Sequence, residues 1–139
     1  MHQIVLPMSV LAVWTLIVLL LVGMGRIRAL RTGRARMKDF SYGESSNVPE
    51  DVALRNRAYV NLLELPVLFY AACLTLLVSN NLDPVMLTLA WVFVSARIAH
   101  SCIQLIYNNV LHRFLAFAIG YFALVVMWLR ILWMAVTRL

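Results

Sequence analysis

Six polar side chains stand in stretches of sequence that are otherwise apolar. Arg57, Asn61 and Glu64 are spaced i, i+4, i+7, and Arg97, His100 and Gln104 are spaced i, i+3, i+7, with Asn108 one turn further on. Either spacing places its three residues on one face of a helix. The set combines guanidinium groups, a carboxylate, carboxamides and an imidazole. It can hold an anionic ligand through bidentate guanidinium contacts, or it can pair with itself, Glu64 against Arg97, and fix only the helix register. A charge in mid-membrane costs roughly 2.5–3.5 kcal/mol on insertion scales, so such residues turn inward and mark functional sites. A ligand site is therefore favoured over a purely structural pair, and Glu64 and Arg97 are both expected to point inward.

The elements that position these residues follow from composition. The chain has 139 residues, of which 63% are hydrophobic and only 13% charged, yet its net charge is +6. A soluble domain carries about 25% charged residues, and disorder requires low hydrophobicity. A basic balance can signal nucleic acid, but a chain with a mean hydropathy of +0.86 would not stay in water. The class is an integral membrane protein without a nucleic-acid partner. Four apolar segments are long enough to span a bilayer: Gln3 to Gly25, about Val52 to Val78, about Pro84 to Tyr107, and about Phe114 to Val136. None alternates as a barrel strand does. The expected fold is all-α, a single four-span helical bundle over residues 1–139.

The joints support this division. Ser79-Asn80-Asn81-Leu82-Asp83-Pro84 is a short turn that makes spans two and three a hairpin. Pro49, Glu50 and Asp51 suit a helix start. Pro66 is expected to kink span two and free backbone carbonyls beside the polar face. Arg26, Arg28, Arg31, Arg34, Arg36 and Lys38 crowd the long first joint, Arg26 to Asp51, and place it in the cytoplasm, with both termini on the other side. This joint orients the protein and meets anionic lipid head groups; its first arginines are also candidates to hold an anionic ligand. Arg130 and Arg138 are expected to snorkel at the outer end of span four. Cys73 and Cys102 read as buried thiols rather than a redox pair, and no His/Cys cluster supplies a metal with four ligands.

The order of these motifs resembles a known family, the membrane-associated proteins in eicosanoid and glutathione metabolism (MAPEG). Span two carries the hallmark as Arg57-Ala-Tyr-Val-Asn61-Leu-Leu-Glu64-Leu-Pro66 and span three as Arg97-Ile-Ala-His100. Span one ends Gly23-Met-Gly-Arg26-Ile-Arg28, and Arg113 opens span four. The resemblance extends over the whole chain and is that of a divergent, bacterial-type member, which implies a bacterial inner membrane. It implies a homotrimer with glutathione, or a related thiol, held between subunits near the cytoplasmic side. In that arrangement Glu64 takes the ammonium group or adjacent backbone, Asn61 bonds the peptide, and Arg97 and His100 line the site with Arg57. Arg26 or Arg28 of a neighbouring subunit pairs with a carboxylate. Arg113 is the catalytic residue, stabilising the thiolate that attacks a lipophilic electrophile or hydroperoxide.

The sequence departs from the family's well-known synthases at three points. Val60 replaces a basic residue before the Asn, Gln104 replaces a Tyr four residues after the His, and Phe114 replaces a Ser after the span-four Arg. Gln104 and Tyr107 are the candidates to fill the Tyr position. An enzyme using glutathione is the leading expectation, and a scaffold that binds a lipid or other anion in the same cleft is the alternative. A transporter is disfavoured, because span one lacks the lone acid that a small four-span exporter would carry.

Overall fold

The computed structural model of the protein describes residues 2–41 and 45–137. Four long helices make up the described fold: α1 (Val5–Arg31), α2 (Glu50–Ser79), α3 (Pro84–Ile106) and α4 (Val110–Val136), preceded by a 3₁₀ turn at His2–Ile4. A second 3₁₀ turn, Met37–Phe40, lies between α1 and α2. All four helices are long and apolar enough to cross a membrane. Arg138 and part of the Ser41–Pro49 loop lie outside the described residues.

α1 continues past the apolar stretch that sets the expected end of span one. Arg26, Arg28 and Arg31 are helical. Arginine is a good helix former, and cations near a helix C-terminus meet the negative end of the dipole. Loss of hydropathy at Arg26 therefore does not mark a helix end. The helix ends at Arg31, and the chain turns away at Gly33, whose φ of +70° costs a residue without a Cβ little. Beyond it the N–H groups of Arg34 and Ala35 donate back to the Ala29 carbonyl at 2.9 and 3.3 Å. Ala35 and Val48 then bury themselves against Ala29 and Val52 in a small second core, with Phe40 packed beside it. Asp39 anchors this loop, accepting from the Arg36 N–H at 2.8 Å. That hydrogen bond holds the Asp39 carboxyl below its usual range. The anchor is accordingly in place above the ordinary carboxylate range, and is lost only as pH falls through the lowered value.

The other joints form as their residue types require. Asn80 ends α2 in the left-handed region at φ 54°. Asp83 caps α3 by accepting from the Met86 N–H at 2.8 Å, with Pro84 in the first turn. Asn109 caps α4 through the His112 N–H at 3.1 Å. α2 runs through Pro66 without a break in the helix. Arg130 does not simply snorkel: it forms an ion pair with Asp83 and fastens α4 to the α2–α3 turn.

α1 packs chiefly on α2 and α3 on α4, and α2 against α3 joins the two pairs. Leu11, Val18, Leu62, Phe69, Phe93 and Met127 fill the shared core. Phe69 and Phe93 stack there with centroids 4.5 Å apart. Cys73 is buried in this core, and Cys102 is half-buried. Near the basic end Arg55 crosses α1 and donates to the Leu21 carbonyl at 3.3 Å. It can do so because Gly25 has no side chain: a Cβ there would lie 3.2 Å from Arg55 Nη1. Gly25→Leu should therefore lower stability by about 1–3 kcal/mol through overpacking. Gly23→Leu is the control, since nothing lies within 4 Å of its Cβ position. Unfolding midpoints of the two variants in mixed micelles check this, and equal midpoints would remove the role assigned to Gly25.

Candidate functional site

α3 supplies the site's framework. Arg97, His100, Ser101 and Gln104 are all buried, on one face of that helix. Ser101 accepts from the Trp14 indole N–H at 2.7 Å and ties α3 to α1. Arg97 is only 1% exposed and donates through Nη2 to the backbone carbonyl of Asn61. The neighbouring Leu62 carbonyl is the one that Pro66, lacking an N–H, leaves without its helical partner. Arg97 thus approaches α2 where its backbone is least closed. The Asn61 side chain donates to Gln104 Oε1 at 3.0 Å, joining the two polar stripes directly.

α4 closes the other side. The Phe117 ring lies 5.9 Å from the Arg97 guanidinium carbon, a cation–π contact. At Gly120 a Cβ would stand 3.4 Å from Ala96 Cβ and 3.6 Å from Arg97 Cδ. The missing side chain lets Arg97 lie between α3 and α4. In front of this layer opens a cleft of about 250 Å³ lined by Asn61, His100, Val110, Arg113, Phe114 and Phe117. Arg97 and Arg113 both act electrostatically on His100. Arg97 Nε, Arg97 Nη1 and His100 Nδ1 are buried without a hydrogen-bond partner among the described residues. Unmet buried donors beside a cationic cleft suit an anionic or strongly accepting ligand.

The structure therefore brings Asn61, Arg97, His100, Gln104 and Arg113 into one place. It separates the others. Glu64 does not point into the bundle: it is exposed and makes no ion pair with Arg97, although its charge still acts on that guanidinium. The inward face of α2 is centred on Ala58, Leu62, Phe69 and Leu76. Asn61 lies at the rim of that face, and Arg57 and Glu64 lie beyond it, both exposed. A shared stripe is legible from spacing, but a membrane helix is apolar all round, so spacing does not say which stripe faces inward. Arg26 bonds Asn56 at 3.1 Å and lies over the Phe40 ring, while Arg28 is exposed. Tyr107 is exposed, with its hydroxyl 3.0 Å from His112 Nδ1.

Sequence reasoning missed the α4 wall. Phe117 and Gly120 follow Arg113 at i+4 and i+7, a helical spacing that was available to read. It also gave Asn108 no role beyond its place on the stripe. Asn108 Oδ1 accepts from Arg113 Nη1 at 2.8 Å, and its backbone is left-handed at φ 46°. Asn108→Gly keeps that backbone accessible but frees Arg113, whereas Asn108→Asp keeps an acceptor. The Gly variant should retain its unfolding midpoint and lose anion affinity in the cleft by roughly 10-fold, the scale of one charge-assisted hydrogen bond. The Asp variant should keep Arg113 in place, and equilibrium dialysis with an anionic thiol compares the two.

No curated protein sequence is significantly similar to this chain. The profile of the MAPEG family matches residues 4–133, from just before α1 to the last turn of α4. With four membrane-capable helices and a match over nearly its whole length, the chain belongs to the MAPEG family.

Proposed function

We propose that the protein is a homotrimeric, thiol-dependent transferase or peroxidase that binds glutathione, or a related thiol, in the Asn61–His100–Arg113 cleft and acts on lipophilic electrophiles. The observation that carries this reading is the convergence there of two guanidinium groups, one buried behind the cleft and one at its mouth, with buried donors left unmet. Such a site fits a ligand with carboxylates and a thiol. Glutathione, when bound, supplies a thiolate nucleophile. Arg113 lowers the thiol's pKa by placing a positive charge at the cleft mouth. Arg97 and His100 orient an anionic group from the bundle side. Phe114 and Phe117 limit water at the cleft and give an electrophile an apolar approach from the bilayer.

Assembly follows from Glu64. An exposed carboxylate halfway along a spanning helix is costly against lipid. A neighbouring subunit covering the α2 face relieves that cost and brings Arg57, Glu64 and a neighbour's Arg26 or Arg28 toward the ligand.

A binding-only scaffold for an anionic lipid is favoured by a separate observation. The Asn61 side-chain amide already donates to Gln104, and Tyr107 turns to His112, so two contacts expected for a thiol peptide are otherwise committed. Thiolate absorbance on adding millimolar glutathione to purified protein decides between them. An increase that saturates supports the enzyme; no increase, together with retention of anionic lipid through purification, supports the scaffold.

A further inference from the structure

The basic end of the bundle carries a folded element that the chemistry above does not use. After α1 the chain does not trail into water. It turns at Gly33, packs Ala35 and Val48 against Ala29 and Val52, and brings Phe40 beneath the Arg26 guanidinium at 5.3 Å. That last contact fixes the depth of the turn. Arg26 is the first charge after the uncharged run from Gln3 to Gly25. α1 has 27 residues, which is about 40 Å of helix, roughly 10 Å more than the hydrocarbon core of a bilayer. The contact between Phe40 and Arg26 therefore brings the turn back from the end of α1 to the guanidinium of its first charged residue.

What this turn presents is unusual for a solvated loop. Met37 is 75% exposed, between Arg36 and Lys38, which are both exposed. Arg31, the last residue of α1, is also exposed. Among the described residues, none of these three cations has an acidic partner within ion-pair distance. Asp39, the one acid of the turn, is buried and engaged by the Arg36 N–H and by Ser45. The outward surface is thus one apolar side chain flanked by cations, on a turn packed from beneath through Phe40. Apolar insertion with cations at phosphate level is how an interfacial element binds a charged membrane.

We propose that the Met37–Phe40 turn is a membrane-interface element, with Met37 set among acyl chains and Arg31, Arg36 and Lys38 on the phosphates of anionic phospholipids. It clamps the α1–α2 loop to the bilayer surface and does not depend on thiol chemistry in the cleft. The occupant is the membrane in which the chain sits, because the depth set by Arg26 and Phe40 leaves Met37 facing the interface. The added affinity comes from charge complementarity, so it requires anionic lipid.

The test places a nitroxide at Met37→Cys in the full chain, with Cys73 and Cys102 changed to alanine. The label is read in phosphatidylcholine vesicles with and without phosphatidylglycerol. In the presence of phosphatidylglycerol, collisions with apolar oxygen should exceed those with a water-soluble nickel complex several-fold. The excess should fall in phosphatidylcholine alone, on the same folded protein, and in Arg31→Gln/Arg36→Gln/Lys38→Gln. Dominant nickel collisions in both membranes would overturn the proposal, because the turn then lies in water. Protection from both reagents would overturn it in favour of a second copy covering the turn. An oxygen excess indifferent to phosphatidylglycerol and to the glutamine changes would overturn the anionic-lipid assignment.

Discussion

Arg113→Ala should reduce thiol-dependent turnover by about 10²–10³-fold, the usual cost of deleting one preorganised group that stabilises developing charge. Arg113 stands at the cleft mouth, held by Asn108 at 2.8 Å, so its removal leaves no other guanidinium in the cleft lining among the described residues. The pH profile separates its role from simple binding. A cation beside the thiol lowers the thiol's pKa, so the wild type reaches its full thiolate fraction at a lower pH. Without Arg113 the rate should still be climbing at alkaline pH where the wild-type rate has levelled. Arg113→Lys keeps a charge without the bidentate fork and should fall between the two. A rate loss with an unchanged pH profile would make Arg113 a binding residue only.

Arg97→Ala should be the most destabilising single change in the bundle, at about 3–5 kcal/mol. It removes a fully buried side chain between α3 and α4, leaves a cavity beside Gly120 and Phe117 and deletes the side-chain donor to the Asn61 carbonyl. Arg97→Met fills most of that volume without placing a charge in the interior, and such replacements are often neutral or stabilising. The methionine variant should therefore recover most of the stability, and yet bind an anionic thiol far more weakly than the wild type. Stability in mixed micelles and binding by dialysis give the two readouts. If Arg97→Met restores both, the guanidinium serves packing alone. Glu64→Leu extends the same logic. Since Glu64 is exposed, lipid contact would make the leucine variant more stable by roughly the insertion cost of a charge. A carboxylate covered by a neighbour would instead lose ligand affinity with no such gain.

The elements were legible because each carries a local signal. Asp83-Pro84 acts within one turn through a capping side chain and a fixed φ, and α3 begins there; α4 begins at Val110, capped by Asn109, ahead of the expected start near Phe114. The length of α1 was not legible. Hydropathy reports where lipid ends, whereas the helix continues until Gly33 lets the chain turn back. In sequence Arg130 stands alone near the end of a span, because its partner Asp83 is far away along the chain. In the site, the two stripes were visible as helical spacings, and they do meet through Asn61 and Gln104.

From sequence alone came the membrane class, the four spans, the family resemblance and the pairing of an α2 stripe with an α3 stripe, since all of these rest on composition or on spacing along one helix. Tertiary structure alone decided that Arg97 goes inward to the Asn61 carbonyl while Glu64 faces out, that Gly120 and Phe117 make room for that guanidinium, and that the basic loop folds back on Phe40 and Arg26. The reason is physical. Helix rotation about its own axis is set by how neighbours pack, and in a chain apolar on every side the sequence carries little to specify it.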